Sequence, residues 1–277
     1  MEHWSWRDEE KKISGKVTTI GMFDSGVGGL TVYLELKKRC PSIHVIYYAD
    51  TLRQPYGPRP QEAIAEFSAQ ILRFLQSQGA ELVVVACGTA TCAVFDSRLN
   101  EHPSFSATPI LGTIGPSIEA ALSHGPRVGV MATEGTCSAN AYSRLLPPSS
   151  SLVQVACPGF SSIAEANAAS DPRTRSAARE AMAPFRRSVD SIIYGCTHYP
   201  LLAPAIEAAL RDFPGPAVAL VDPAAPLVAS LLPLLEPCAG PATTRFCASG
   251  DPSLFAERAS GILGYDVSGQ CELVTLT

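Results

Sequence analysis

The segments LVVVACGTA (residues 82–90) and IIYGCTHYP (residues 192–200) each carry a cysteine just after a run of apolar residues. A short apolar run bounded by turn residues predicts a strand buried in a parallel sheet. Cys87 and Cys196 are therefore expected to follow strands, and they stand 109 residues apart. Their matching contexts indicate that the chain presents two thiols in equivalent places.

The wider surroundings of the two cysteines are also repeated. The segment IGMFDSG begins at Ile20 and the similar segment VGVMATEG begins at Val128, an offset of 108 residues. Nearly equal offsets predict a duplicated α/β unit in which each half delivers one thiol to a common cleft. Two opposed thiols suit a reaction that needs an acid and a base on opposite faces of one carbon atom.

Apolar runs alternate with helical patterns along the chain. In PQEAIAEFSAQILRFLQSQGA (60–80), Ile64, Phe67, Ile71 and Leu75 recur at helical spacing. Strand, helix and strand in succession are typical of parallel sheets with helices on both faces. We expect an α/β fold of two pseudo-symmetric lobes, each a mainly parallel sheet flanked by helices, with the active site in the cleft between them.

The predicted lobes differ in continuity. Residues 1–16 are polar and charged, which predicts a flexible N-terminal extension. The first lobe is expected to span 17–112 and to be completed by about 215–277, whereas the second spans 113–214. Two crossings between the lobes would form a hinge-like connection that lets them close over a substrate.

Composition restricts the classes of function. The chain has 277 residues, 46% of them hydrophobic, and a formal net charge of −5 without a block of Lys or Arg. These values favour work on a small molecule over binding to nucleic acid or to a membrane. The chain shows no secretory signal or membrane-spanning segment, and its nine cysteines have no regular spacing. We therefore expect a cytoplasmic protein with free thiols.

Polar residues cluster where the predicted strands end, which is where parallel sheets bind ligands. Asp24 could assist Cys87 with its proton, and His198 could do the same for Cys196 on the other side. Substrate carboxylates need hydrogen-bond donors. The predicted donors are Ser25, Thr89, Thr133, Thr136 and Thr197.

No metal or cofactor is predicted. The chain lacks a C-x-x-C pair and its histidines are scattered. The segment GVGGLT (26–31) fits neither the dinucleotide-binding fingerprint nor the P-loop pattern.

Five motifs together resemble the glutamate racemases of the aspartate/glutamate racemase superfamily. In order along the chain they are FDSGVGGL (23–30), YYADTLRQPYG (47–57), VVACGTAT (84–91), TEGT (133–136) and GCTHYPLL (195–202). The resemblance implies a cofactor-independent isomerase that interconverts L- and D-glutamate and supplies D-glutamate for peptidoglycan, and hence for the cell wall and cell shape. An enzyme of this kind is also expected to form a homodimer.

Under this resemblance, Cys87 and Cys196 exchange the roles of base and acid with the direction of the reaction. A pKa close to or below the ordinary value of about 8.5 is expected to help each thiol. The resemblance further implies Glu165 as an acidic partner in catalysis. It also adds Tyr56 and Gly57 to the residues that bind substrate.

The chain departs from the family directly after the first cysteine. Most glutamate racemases have Asn at this place, whereas this chain has Gly88, which is still expected to border the substrate. We expect Gly88→Asn either to strengthen glutamate turnover or to shift the preference among amino acids.

Other functions stay open at this stage. A related racemase for aspartate or a hydantoin would use the same two thiols. A decarboxylase of the superfamily needs one thiol, and a cysteine hydrolase would pair one cysteine with a histidine base, so neither explains the second thiol. From a different class, the chain could be a two-lobed amino-acid binding protein without catalysis.

Overall fold

The chain folds into two sheets, as seen in a computed structural model that describes residues 15–96, 108–166, 168–186, 188–213 and 217–276. All strand pairs in both sheets are parallel. Helices cover the faces of the sheets. The predicted fold class, two parallel sheets flanked by helices, is confirmed.

The strands are three to six residues long. In chain order they are β1 (Thr19–Asp24), β2 (His44–Ala49), β3 (Leu82–Val85), β4 (Ile110–Gly112), β5 (Arg127–Ala132), β6 (Ser151–Ala156), β7 (Ser191–Tyr194), β8 (Ala219–Val221), β9 (Thr244–Ala248) and β10 (Cys271–Leu273).

The helices mostly connect successive parallel strands. In chain order they are α1 (Leu30–Arg39), α2 (Gln61–Ser77), α3 (Gly88–Val94), α4 (Ile114–Leu122), α5 (Glu134–Ser138), α6 (Ala141–Leu145), α7 (Phe160–Glu165), α8 (Pro172–Met182), α9 (Ala203–Arg211), α10 (Ala224–Leu231) and α11 (Pro252–Leu263). Within the described ranges, none of the helices combines the length and the apolar character needed to cross a membrane.

The topology repeats between the sheets. The first sheet has the order β10-β9-β2-β1-β3-β4 and the second has the order β6-β5-β7-β8. The repeated segments form β1 and β5, and the strands that precede the two cysteines, β3 and β7, each pair with the repeated strand of their own sheet. The sequence repeat is therefore a structural repeat of neighbouring strands.

Apolar side chains on both faces of the strands explain why the sequence runs are continuous. In β1, Ile20 and Met22 lie in one buried cluster with α1, α10 and α11, whereas Phe23 lies in the opposite cluster with α2. The helical pattern of α2 is also confirmed, with Ile64 and Leu75 fully buried.

The C-terminal part of the chain returns to the first sheet. Strands β9 and β10 extend that sheet beyond β2. Strand β8 instead pairs with β7 in the second sheet. The sequence had led us to expect all residues from about 215 to 277 in the first lobe. A strand pattern identifies a strand but not the edge that it joins. The lobe limits stay a prediction, and residues 1–14 and 214–216 lie outside the described residues.

Tyr47 gives a test of how the first sheet supports the loop after β1. Its fully buried hydroxyl donates a hydrogen bond to the carbonyl of Gly26 at 3.0 Å, and its ring stacks on Phe255. Tyr47→Phe keeps the ring and leaves a buried carbonyl without this donor. The free energy of unfolding in urea should fall by about 1 to 3 kcal/mol.

The matched control is Tyr265→Phe. Tyr265 is 48% exposed, so water replaces its hydrogen bond and the loss should stay below about 0.5 kcal/mol. Equal losses in the two variants would contradict the role assigned to Tyr47.

Candidate active site

The carboxyl ends of the two sheets border one cleft, which contains about 500 Å³ of space, part of it open to solvent. Residues that follow β1, β2 and β3 form one wall, and residues that follow β5, β6 and β7 form the other. The lining residues are Ser25, Gln54, Pro55, Tyr56, Gly57, Cys87, Gly88, Thr89, Thr133, Ser161, Ser162, Glu165, Cys196, Thr197 and His198. Both candidate thiols are among them.

Cys87 lies at the start of α3 and is 5% exposed. Its sulfur lies 4.0 Å from the hydroxyl oxygen of Ser25. Burial raises the pKa of the Cys87 thiol well above its ordinary value, and the nearby carboxylate of Asp24 raises it further. This differs from the expectation of a pKa close to or below the ordinary value, because a thiolate here would lose hydration and face a like charge. In the absence of substrate, Cys87 is held as the thiol.

Cys196 lies on the opposite wall of the cleft, directly after β7. Its sulfur is 3.6 Å from Nδ1 of His198 and 3.9 Å from the hydroxyl oxygen of Ser161. The predicted pairing of Cys196 with His198 is therefore a direct contact. Gly28 makes room for the imidazole, since a Cβ at this position would lie 2.4 Å from Nδ1.

His198 forms an ion pair with Glu165. Its Nε2 lies 3.0 Å from Oε1 of the carboxylate. Burial by itself lowers the pKa of His198, but the hydrogen bonds to Cys196 and Glu165 outweigh burial and hold this pKa well above its ordinary value. The imidazole is thus stabilised as the cation beside Cys196.

The pKa of the Glu165 carboxylate is shifted in the opposite direction, downward. Burial raises its pKa, but hydrogen bonds from His198 and Gln54, with the charge of Arg258, bring it below its ordinary value. Glu165, which only the family resemblance had suggested, therefore stands in the cleft as an anion in contact with His198.

Asp24 does not line the cleft. It is fully buried, and its carboxylate accepts hydrogen bonds from the N–H of Gly26 at 2.8 Å and from the hydroxyl of Thr197 at 3.1 Å. Burial raises its pKa, although the charge of His198 opposes this. In this conformation Asp24 acts on Cys87 through its charge and not through a hydrogen bond.

Three threonine hydroxyls form a cluster at one end of the cleft. The hydroxyl oxygen of Thr89 lies 2.9 Å from that of Thr133 and 3.1 Å from that of Thr136. Thr133 also caps α5, because its side chain accepts a hydrogen bond from the N–H of Thr136. Thr136 is fully buried behind the other two and does not line the cleft.

The turn that contains Tyr56 and Gly57 reaches into the cleft. Tyr56 is 1% exposed, and its hydroxyl donates a hydrogen bond to the Asp50 carboxylate, away from the cleft. Gly57 lies against Thr133, where an added Cβ would be 3.1 Å from the threonine Cβ. Both residues therefore shape the wall, and the Tyr56 hydroxyl is already engaged.

Sequence reasoning missed four residues of the cleft, namely Gln54, Pro55, Ser161 and Ser162. Gln54 Nε2 donates to both carboxylate oxygens of Glu165, at 2.8 and 2.6 Å. The motif YYADTLRQPYG contained Gln54 and Pro55 and could have drawn attention to them. Ser161 carries no such signal, because its contact with Cys196 depends on how α7 packs beside β7.

Gly88 lies against the backbone of Gly195, the residue that precedes the second cysteine. A Cβ at this position would be 2.4 Å from the carbonyl oxygen of Gly195. This is far inside van der Waals contact, and the obstacle is backbone that cannot rotate away. At Gly88, where most glutamate racemases have Asn, the backbones that carry the two thiols are thus in direct contact.

All nine cysteines are free thiols. In the part of the chain that the structure describes, no group of three or more His, Cys, Asp or Glu side chains is arranged to hold a metal ion.

The charge of Asp24 can be tested through the reactivity of Cys87. Asp24→Asn removes a negative charge near the sulfur, so the thiolate fraction of Cys87 at a given pH should rise. Alkylation of Cys87 by iodoacetamide above pH 8 should become about 3- to 10-fold faster. The rate is read by mass spectrometry of the Cys87 peptide, with Cys238 as the reference thiol. An unchanged ratio of the two rates would contradict the electrostatic role of Asp24.

Similar proteins were found by sequence and by structure. The glutamate racemase of Microcystis aeruginosa is 38% identical over 276 residues, covering 94% of this chain and 95% of the relative. A glutamate racemase isoform from Bacillus anthracis has a TM-score of 0.83 at 31% identity and covers 94% of this chain and 98% of that one. The glutamate racemase of Francisella tularensis, solved with D-glutamate, has a TM-score of 0.82 at 28% identity and covers 93% and 97%.

The family model described as Asp/Glu/Hydantoin racemase matches residues 21–231, which include both sheets' strand ends at the cleft. A match over most of the chain, together with relatives above 30% identity along nearly their whole length, leaves one conclusion. The chain belongs to the Asp/Glu/Hydantoin racemase family.

Proposed function

We propose that this protein is a cofactor-independent glutamate racemase that interconverts L-glutamate and D-glutamate. The observation that carries the proposal is the position of Cys87 and Cys196, which follow equivalent strands of two sheets and line one cleft. The similar proteins named above are themselves glutamate racemases, which adds independent support.

Inversion at an α-carbon requires a base on one face and an acid on the other. The thiolate of one cysteine takes the α-proton and becomes a thiol, and the electron pair of the broken C–H bond stays on the substrate. The thiol of the other cysteine then delivers its proton to the opposite face and becomes the thiolate. Cys87 and Cys196 exchange these roles in the reverse direction, so the proton balance closes without a cofactor.

Each thiol has a charged neighbour that influences whether the thiol keeps or loses its proton. The His198 cation faces Cys196 at hydrogen-bond distance, and Glu165 orients the imidazole from its other nitrogen. Asp24 acts on Cys87 from behind the cleft wall and stabilises its thiol form. Cys87 is therefore the acid of the resting protein.

Hydroxyl groups that line the cleft can bind the substrate carboxylates. Ser25, Thr89, Thr133 and Thr197 line the cleft, and the hydroxyls of Ser25 and Thr89 can donate to a carboxylate oxygen. The Thr197 hydroxyl already donates to Asp24 and the Thr133 hydroxyl to Thr136, so these two position the wall of the cleft. Thr136, which lies behind Thr89 and Thr133, fixes their orientation. These donors would set the α-carbon between the two sulfur atoms.

A racemase for aspartate or a hydantoin is the second candidate. The absence of a side chain at Gly88 supports it, since that position faces the cleft and carries Asn in most glutamate racemases. The same thiols would act on either substrate, so substrate profiling separates the candidates.

We further propose that the reaction supplies D-glutamate for peptidoglycan in the cytoplasm. All nine cysteines are free, and a reducing compartment keeps such thiols in the state that catalysis needs. The homodimer expected from the family resemblance belongs to the same proposal.

The direct test is α-proton exchange in D₂O, followed by NMR with L-glutamate and D-glutamate separately and without added cofactor. Deuterium should enter the product enantiomer from both directions. Cys87→Ser and Cys196→Ser should each abolish racemisation, and at least one should retain slow exchange of a single enantiomer's α-proton, because one base remains.

Aspartate and a hydantoin serve as parallel substrates in this test. Exchange with aspartate or the hydantoin but not with glutamate would transfer the proposal to the second candidate. Full racemisation in either serine variant would overturn the two-base mechanism.

Gly88 gives a second test, and its surroundings lead us to expect lower turnover, where the sequence led us to expect stronger glutamate turnover or a shifted preference among amino acids. Gly88→Ala places a Cβ against the Gly195 carbonyl and forces the two cysteine-bearing backbones apart. Since a displacement of about 1 Å in an active site can cost about 100-fold in rate, kcat/KM should fall by about this factor. Gly88→Asn meets the same obstacle and should also lower turnover instead of strengthening it.

The matched control is Gly261→Ala in α11. Nothing lies within 4 Å of a Cβ built at Gly261, so activity should be unchanged and stability equal or slightly higher. Wild-type kcat/KM in Gly88→Ala would show that the walls of the cleft adapt to the added methyl group.

A further inference from the structure

The Glu165 carboxylate receives donors from three parts of the chain. Besides His198 and Gln54, the guanidinium of Arg258 donates from Nη1 to Oε2 at 2.7 Å. The Glu165 side chain is 9% exposed and that of Arg258 is 37% exposed. A nearly buried carboxylate in the cleft is thus paired with a cation that reaches it from outside.

Arg258 belongs to a different half of the molecule from Glu165. It lies on α11, which packs on α1, β9 and β10 of the first sheet, and it borders a separate cavity with Thr51 and Leu254. Glu165 ends α7, which follows β6 of the second sheet. Their ion pair therefore spans the two halves, as the Gln54–Glu165 hydrogen bonds also do.

The charges that face His198 come from several elements. Cys196 precedes it on the same loop, Glu165 lies on α7, and Asp24 lies at the end of β1. Gly28 and Gln54 contribute no charge, and Arg53 is paired with Asp50. Among the residues that the structure describes, Arg258 is the cation that meets this group, and it does so through the second oxygen of Glu165.

We propose that Arg258 is a positioning residue that acts through Glu165: by holding one carboxylate oxygen, it weakens the stabilisation that Glu165 gives to the imidazolium from Nε2, and so lets His198 exchange its Nδ1 proton with Cys196. The kinetic part of this inference rests on the proposed racemisation, whereas the effect on His198 does not.

The sign follows from the charges. Glu165 stabilises the imidazolium of His198, and the Arg258 cation on the same carboxylate opposes a second positive charge nearby. Without Arg258, Gln54 still holds both oxygens of Glu165, so the carboxylate stays beside His198. Removal of the Arg258 charge should therefore raise the pKa of His198 further. The imidazolium would then give up its Nδ1 proton to Cys196 less readily.

The test is an NMR titration of the histidine ring nitrogens in the full-length protein, with the His198 signal assigned from its loss in His198→Asn. In Arg258→Gln, the His198 midpoint should move to higher pH than in the wild type. Arg258→Lys retains the positive charge and should bring the midpoint most of the way back. A purely structural role for Arg258 would not give this charge-dependent rescue.

Arg245→Gln is the matched control. Arg245 lies on β9, pairs with the Glu272 carboxylate and is 39% exposed, close to the value for Arg258. Its loss should leave the His198 titration unchanged. An equal shift in Arg245→Gln, or a titration of Arg258→Gln that superimposes on the wild type, would overturn the inference.

Kinetics provide the second readout. The limb of the kcat/KM profile that follows His198 should move to higher pH in Arg258→Gln by the same interval as the NMR midpoint. A kcat/KM profile that stays at the wild-type position despite an NMR shift would overturn the link from Arg258 to proton exchange with Cys196. A shifted NMR midpoint in a protein that racemises no amino acid would sustain the action of Arg258 on His198 while overturning the proposed function.

Discussion

The site depends on the close approach of two backbones, at Gly88 and Gly195. Each glycine adjoins a cysteine, and the space between the Gly88 Cα and the Gly195 carbonyl admits no side chain. The ends of β3 and β7 can therefore meet in one cleft, although they belong to different sheets. This contact limits how far apart the cysteine-bearing loops stand, and the charged groups of the cleft act on sulfur atoms whose places it sets.

The surroundings of the two thiols are unlike in charge. Cys87 is buried next to the Asp24 carboxylate, so its proton is retained. Cys196 contacts an imidazole that the Glu165 carboxylate stabilises as a cation. Thr197 connects the two sides, because its hydroxyl donates to Asp24 while its neighbours in sequence are Cys196 and His198. A duplicated fold has thus acquired a negative group beside one thiol and a positive group beside the other.

The sequence was sufficient for the features that are local or repeated. Apolar runs identified the strands, and because parallel strands collect ligands at their carboxyl ends, the same runs brought Cys87, Thr133 and Cys196 to one cleft. The pairing of Glu165 with Arg258 could not be found in this way. Arg258 stands 93 residues from Glu165 in the chain and meets it only because α11 and α7 pack on different sheets that face each other. The raised pKa of Cys87 was missed for a related reason, since burial depends on the whole fold and not on neighbouring residues.

The unlike thiols have a consequence for any reaction that interconverts enantiomers. L- and D-forms of one amino acid have equal free energy, so kcat/KM must be the same in both directions however different the two bases are. The difference between the two bases can therefore appear only in the separate values of kcat and of KM for each direction, and not in their ratio. The resting protein holds Cys87 as a thiol, and the direction in which Cys87 is the acid starts from this state. The opposite direction must first move a proton off Cys87, against burial and the charge of Asp24. In that direction Cys196 must be the thiol, so the proton of Cys87 leaves to solvent and His198 gives its Nδ1 proton to Cys196. A cation on the far oxygen of Glu165 that favours this release therefore bears on both directions of turnover.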